Sequence, residues 1–167
     1  MILAFDTYYY DGKAKTICLE FQQWNQSTDF KVHTEIIDNV AEYIPGEFYK
    51  RELPCILSLL NKIDLKKVEV IIVDGFVYLD DEKKYGLGGH LYEKLNQKIP
   101  IIGVAKTNFA SIEKDKRSLL RGDSQKPLYV TGIGIELEDA FQKVESMAGE
   151  FRMPTLLKEM DRLTKEI

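Results

Sequence analysis

Cysteine is scarce: Cys18 and Cys55 are the only two in 167 residues. Both sit in apolar segments, without CxxC spacing or histidine partners, which excludes a disulfide framework and a zinc site and predicts two buried free thiols. Long hydrophobic runs are missing too. Stretches such as Val70-Ile71-Ile72-Val73 fall far short of the ~20 residues that a membrane-spanning helix needs, and the first residues lack the basic-then-apolar pattern of a secretory signal. A cytoplasmic protein without membrane association is expected. No tract of Pro, Gly or Ser and no internal repeat divides the chain, so residues 1–167 read as one domain, expected to be a monomer. Positive charge is not in excess: 23 Lys and Arg face 27 Asp and Glu, for a net charge of -4. That excludes a protein that coats nucleic acid by phosphate neutralisation alone.

The hydrophobic content is 44%, and its pattern changes along the chain. Met1 to Tyr10, Lys13 to Trp24 and Phe30 to Ile37 are rich in aromatic and β-branched residues and are separated by the turn formers Asp11-Gly12 and Asn25-Gln26-Ser27, which predicts three antiparallel strands. Between Phe48 and Ile63 the apolar residues Ile56, Leu57, Leu59, Leu60 and Ile63 recur at helical spacing. Pro54 is tolerable only in a first turn, so this helix is expected to start near Glu52. Val68 to Val73 and Ile99 to Ala105 are continuous apolar runs that read as buried parallel strands, with a helix from about Gly89 to Asn96 between them. Lys126 to Thr131 reads as one more strand, Leu137 to Met147 as a helix closed by Gly149, and Pro154 introduces a final helix with Leu156, Leu157, Met160 and Leu163 on one face. Trp24 and His33 read as packing and strand residues.

Two acids stand out against this background. Asp6 lies inside the apolar strand Ala4-Phe5-Asp6-Thr7, and Asp74 ends the first buried parallel strand, at the edge where open α/β sheets bind ligands. If the two strands are neighbours the carboxylates meet, and like charges so placed are costly unless they share a cation. Mg²⁺ suits such hard oxygen ligands. The plainer reading of Asp74 is a turn cap. Lys106, Lys114, Lys116, Arg117, Arg121 and Lys126 form a local basic stretch, readable as a stripe for a polyanion or as solvated loop charges.

The order of short motifs is more specific than any one of them. Tyr43-Ile44-Pro45-Gly46, Arg51-Glu52-Leu53-Pro54, Val73-Asp74-Gly75, Gly86-Leu87 with His90, and Gly103-Val104-Ala105-Lys106 follow one another, with Lys126-Pro127-Leu128-Tyr129-Val130, Leu137-Glu138-Asp139-Ala140 and Arg152-Met153-Pro154 beyond them. This series resembles the endonuclease V family over nearly the whole chain. The resemblance implies a ribonuclease-H-like α/β fold with a mixed central sheet, three antiparallel strands followed by parallel ones, flanked by helices. It also implies a Mg²⁺-dependent endonuclease, with Mn²⁺ as a substitute, that cuts DNA or RNA near deoxyinosine or inosine.

By position, the resemblance makes Asp6, Glu52 and Asp74 the metal-binding carboxylates and Lys106 the lysine at the reacting phosphate, where the plainer alternative is a surface lysine. Tyr43, Ile44, Pro45 and Gly46 match a wedge that enters the base stack; the alternative is a hydrophobic staple before the helix. Gly75 and His90 match the surroundings of the lesion, with Gly86, Gly88 and Gly89 letting backbone approach a flipped base, while a packing role for His90 is equally open.

The chain also departs from the family. Asp80 stands where a histidine usually follows the Asp-Gly pair, and Thr131-Gly132-Ile133-Gly134 replaces a Pro-Gly-His turn. The chain opens on the first strand, where the family commonly has a preceding helical segment. Asp80 is therefore a candidate for reaching the metal through water. The competing expectation is a divergent nucleic-acid-binding protein that cuts weakly or not at all.

Overall fold

The computed structural model describes residues 1–166 except 41, 43 and 46. Seven strands form one sheet: β1 (Ile2–Tyr10), β2 (Lys13–Phe21), β3 (Lys31–Ile37), β4 (Val70–Asp74), β5 (Ile101–Ala105), β6 (Arg117–Leu119) and β7 (Leu128–Ile133). Their order across the sheet is β3-β2-β1-β4-β5-β7-β6. The first three strands meander antiparallel, β1 pairs parallel with β4 and β4 with β5, and β7 returns antiparallel to both β5 and β6. This is the ribonuclease-H-like arrangement, with β4 central between β1 and β5.

Asp11 and Gly12, both at positive φ, close the β1–β2 hairpin, the geometry that suits the right-handed twist of its strands. Ile71, Ile72, Ile101 and Ile102 are fully or almost fully buried, which is why β4 and β5 read as unbroken apolar runs and not as alternating ones. Helices cover both faces. α1 (Phe48–Leu60) and α2 (Leu87–Lys94) bury Leu53, Ile56, Leu59 and Leu91 against Leu3, Phe5, Ile71 and Val73. α3 (Leu137–Glu145) and α4 (Thr155–Thr164) bury Ala140, Val144, Leu157 and Met160 against Ala4, Ile72, Ile102 and Val104. Trp24 packs against this second cluster, His33 pairs with Glu20 at 3.0 Å on the sheet, and both cysteines are buried free thiols. Among the described residues no helix is long and apolar enough to cross a membrane.

Two expectations are corrected. α1 begins at Phe48 and not near Glu52, which leaves Pro54 in its interior; the proline cannot donate to the Lys50 carbonyl, and burial of Leu53, Ile56, Leu59 and Leu60 outweighs that loss. Arg117 to Leu119, read within the basic stretch, forms the edge strand β6. Three residues are too few for a periodic signal, and only Leu119 among them is buried.

Candidate active site

Strand register brings the two singled-out acids together. Phe5 of β1 is level with Val73 of β4 in a parallel pair, so the next residues, Asp6 and Asp74, are neighbours pointing to the same face. Both carboxyl groups border one small pocket, and the charge of Asp74 acts on Asp6. Asp74 is level with Val104 of β5, and Lys106, two residues on, belongs to the same side of the sheet. Glu52 comes from the opposite layer: it is only 3% exposed on α1, close enough for its charge to act on Asp6 and Asp74.

A fourth acid, not singled out in the sequence, completes the group. Asp161 of α4 borders the same small pocket as Asp6, Asp74 and Lys106, above a floor that includes Val104, Leu157 and Met160. It pairs with Lys106 at 3.7 Å and with Lys165 at 3.2 Å. Its signal was available. Asp161 lies four residues after buried Leu157 and three before buried Thr164, so a charge sits on the helix's apolar stripe, where burial would otherwise exclude it.

The electrostatics follow from this placement. Burial, then Asp74 and Asp161, push the Asp6 carboxyl up to about 7, against a hydrogen bond from the Thr7 N–H at 2.9 Å and the charge of Lys106. Asp74 is raised by burial, with Lys106 the strongest opposing influence. Glu52 is raised well above the carboxylate range by burial and by both aspartates. Three acids of elevated pKa at one end of a sheet form a site short of positive charge. Among the described residues no set of three or more His, Cys, Asp or Glu side chains is closed around a metal position. The donor set nevertheless fits Mg²⁺, which is typically held by one or two carboxylates with water and phosphate oxygens in its remaining positions. The pocket's volume, about 10 Å³, is that of roughly one water-sized occupant.

Other candidates lie elsewhere. Asp80 accepts from the backbone N–H groups of Glu82 and Lys84 at 2.9 and 3.0 Å, so it caps its own turn and does not border the acid pocket. His90 stacks on Tyr49 with ring centroids 3.7 Å apart and meets the edge of Tyr85; burial and Lys94 lower its pKa, which makes it a packed neutral ring. Cβ atoms at Gly88 and Gly89 would meet Val77 and Tyr85 at 2.7 and 2.5 Å, so close packing of α2 already requires glycine at both positions. Gly75, at φ +132, has only Phe48 near its open side among the described residues. Ile44 is 53% exposed and Pro45 is exposed in the turn before α1; Tyr43 and Gly46 lie outside the described residues. With Ile44 in solvent, the staple reading fails for that residue. The basic stretch is largely engaged internally: Arg117 pairs with Glu138, Lys116 contacts Asn108, and Arg121 is buried.

A profile described as Endonuclease V matches residues 1–125. The chain belongs to the endonuclease V family. Endonuclease V of Trichormus variabilis is 31% identical over 140 residues, covering 72% of this chain and 62% of the relative. That of Alkalilimnicola ehrlichii is 28% identical, covering 74% and 61%. The chain thus spans about three fifths of the length of these family members. Among solved structures, Ciona intestinalis endonuclease V, in complex with a 24mer DNA containing an inosine followed by a ribo-adenosine, superposes with TM-score 0.82 at 19% identity, covering 99% of this chain and 84% of that one. A human endonuclease V gives 0.72 at 22% identity, covering 99% and 82%. The ribonuclease-H-like fold is therefore shared across the family members.

Proposed function

We propose that the chain is a divalent-metal-dependent endonuclease that hydrolyses a phosphodiester near inosine or deoxyinosine, with Asp6, Glu52, Asp74 and Asp161 as the metal-holding acids. The observation that carries this reading is the convergence of these four carboxyl groups and Lys106 at one end of the central strands, in a family of nucleases. When bound there, Mg²⁺ or Mn²⁺ neutralises the cluster and supplies a Lewis acid to a phosphate oxygen. Asp6 and Asp74, fixed by adjacent parallel strands, orient the ion. Asp161 holds Lys106 beside the pocket, where its ammonium stabilises charge developing on the reacting phosphate. Glu52, the most buried of the four, deepens the negative potential and aligns the others. The apolar floor keeps bulk water away, so each of these interactions acts at low dielectric.

Ile44, held in solvent on the turn before α1, supports a wedge that offsets part of the unstacking cost as a strand is opened, with exposed Pro45 beside it and Tyr43 and Gly46 assigned to the wedge by the motif alone. Gly75, lying next to Asp74 with space on its open side, suits the approach of a base to the backbone. His90 stands behind this region as packing. The test is incubation of the purified protein with inosine-containing and unmodified oligonucleotides, DNA and RNA, with Mg²⁺, Mn²⁺ or EDTA. Metal-dependent cuts confined to inosine-containing strands are expected. Binding without any cleavage, at enzyme excess and with either metal, would leave a nucleic-acid-binding protein in place of the nuclease.

A further inference from the structure

The acid pocket opens into a cleft of about 420 Å³ bordered by Lys106, Asp161, Met153, Phe151 and Lys158. At its outer end Phe151 is 68% exposed, yet the segment that carries it is braced. Arg121, itself buried, donates to the carbonyl of Phe151 at 2.9 Å and to that of Met147 at 2.6 Å. Arg152 donates to the Pro127 carbonyl at 2.8 Å and also to that of Lys106. One guanidinium therefore ties the Phe151 segment to the strand end that bears Lys106. A fixed backbone that leaves a phenyl ring in water forgoes the burial that usually places phenylalanine inside. Lys158 of α4 sits with its ammonium 5.6 Å from the centre of that ring.

We propose that Phe151 and Lys158 form a subsite for a nucleotide flanking the scissile phosphate, its base stacked on Phe151 and its phosphate paired with Lys158. The inference rests on the nuclease reading. Lys106, Arg152 and Lys158 outnumber Asp161 along the cleft, a local positive excess in a chain of net charge -4. An aromatic face beside a cationic track is the recurrent device for holding an unpaired strand. Continuity selects this route. Lys106 and Asp161 border both the acid pocket and the cleft, so a strand with its phosphate at the acids meets Phe151 next. A neighbouring groove shares Phe151, Lys158 and Asp161 but lacks Lys106, and the Arg162 that borders it is paired with Glu159 and Glu166.

The test uses the full chain with Ca²⁺ replacing Mg²⁺ and a set of fluorescein-labelled inosine oligonucleotides, each with 2-aminopurine at one position flanking the inosine. The unmodified protein should quench 2-aminopurine at one position. Phe151→Ala should remove that quenching and weaken binding roughly tenfold, Phe151→Tyr should retain both, and Phe151→Leu, apolar but without a π face, should not restore the quenching. Lys158→Gln should reduce the slope of log affinity against log salt by about 0.7. Because Phe151 is exposed, the melting temperature should stay unchanged, which separates loss of stacking from loss of fold. Unchanged affinity and quenching in Phe151→Ala, with the unmodified protein binding and cutting normally, would overturn the subsite and leave the nuclease standing. Failure of the unmodified protein to bind any of the oligonucleotides would overturn both.

Discussion

Asp6 illustrates how a single residue couples stability to function. Its carboxyl is at about 7 in the folded chain against an ordinary 3.8. Between these values the folded state binds more protons than the unfolded one, so stability falls as pH rises through that window and the contribution is gone above it. Asp74 and Glu52 are shifted in the same direction. In EDTA, the melting temperature should therefore drop by roughly 5 °C between pH 6 and pH 8, and saturating Mn²⁺ should remove most of that drop; a metal-free protein equally stable at both pH values would contradict the electrostatics. Asp74→Asn removes one of the repelling charges. It should raise the metal-free melting temperature at pH 8 while abolishing both the Mn²⁺ shift and cleavage, the trade between stability and activity that buried active-site charges produce. Asp80→Asn should leave cleavage within about twofold, because an asparagine oxygen can still accept the N–H groups of its own turn. A loss comparable to that of Asp74→Asn would return Asp80 to the metal site.

At the scale of elements, the site depends on how closely strands and turns approach. A Cβ at Gly103 of β5 would lie 2.5 Å from the Gly75 carbonyl and 2.6 Å from the Thr131 hydroxyl. The same hydroxyl accepts from the Val77 N–H at 2.9 Å, so Gly103, Thr131 and the turn after Asp74 are one packed unit. Gly103→Ala should cost about 1–3 kcal/mol by overpacking and weaken Mn²⁺ binding by displacing Asp74, measurable as paired shifts in thermal melts with and without metal. The strands and parallel runs on which this unit rests were legible in the sequence, since aromatic and β-branched richness between turn formers marks strands and unbroken apolar runs mark strands covered on both faces. The start of α1 was not, because Pro54 argues locally for a boundary that tertiary burial overrides. β6 was too short to carry a period. Asp6 and Asp74 were readable as polar breaks in apolar strands and Lys106 through the resemblance, whereas Asp161 was visible only as a charge on an apolar helix stripe and needed the geometry of the sheet to be assigned to the site. The packing role of the glycines of α2 was hidden for the same reason: close packing and ligand approach both select glycine, and the packing neighbours are seen only in the fold.

At the scale of the whole molecule, the proposed function asks an acidic chain to meet a polyanion, which requires its charge to be redistributed where the two meet. Strands β1 and β4 with helices α1 and α4 gather Asp6, Asp74, Glu52 and Asp161 at one end of the sheet, and on the proposed function a divalent cation held there, and not a basic surface, would attract the phosphate. The account is tested most directly by calorimetric titration of the metal-free protein with Mn²⁺ at pH 7 and pH 8.5, in buffers of different ionisation enthalpy. It predicts saturable binding with proton release at pH 7, because the Asp6 carboxyl, pushed up to about 7, is partly protonated there, less release at pH 8.5, and loss of binding in Asp74→Asn. Mn²⁺ binding without proton release at pH 7, or binding undiminished in Asp74→Asn, would contradict it.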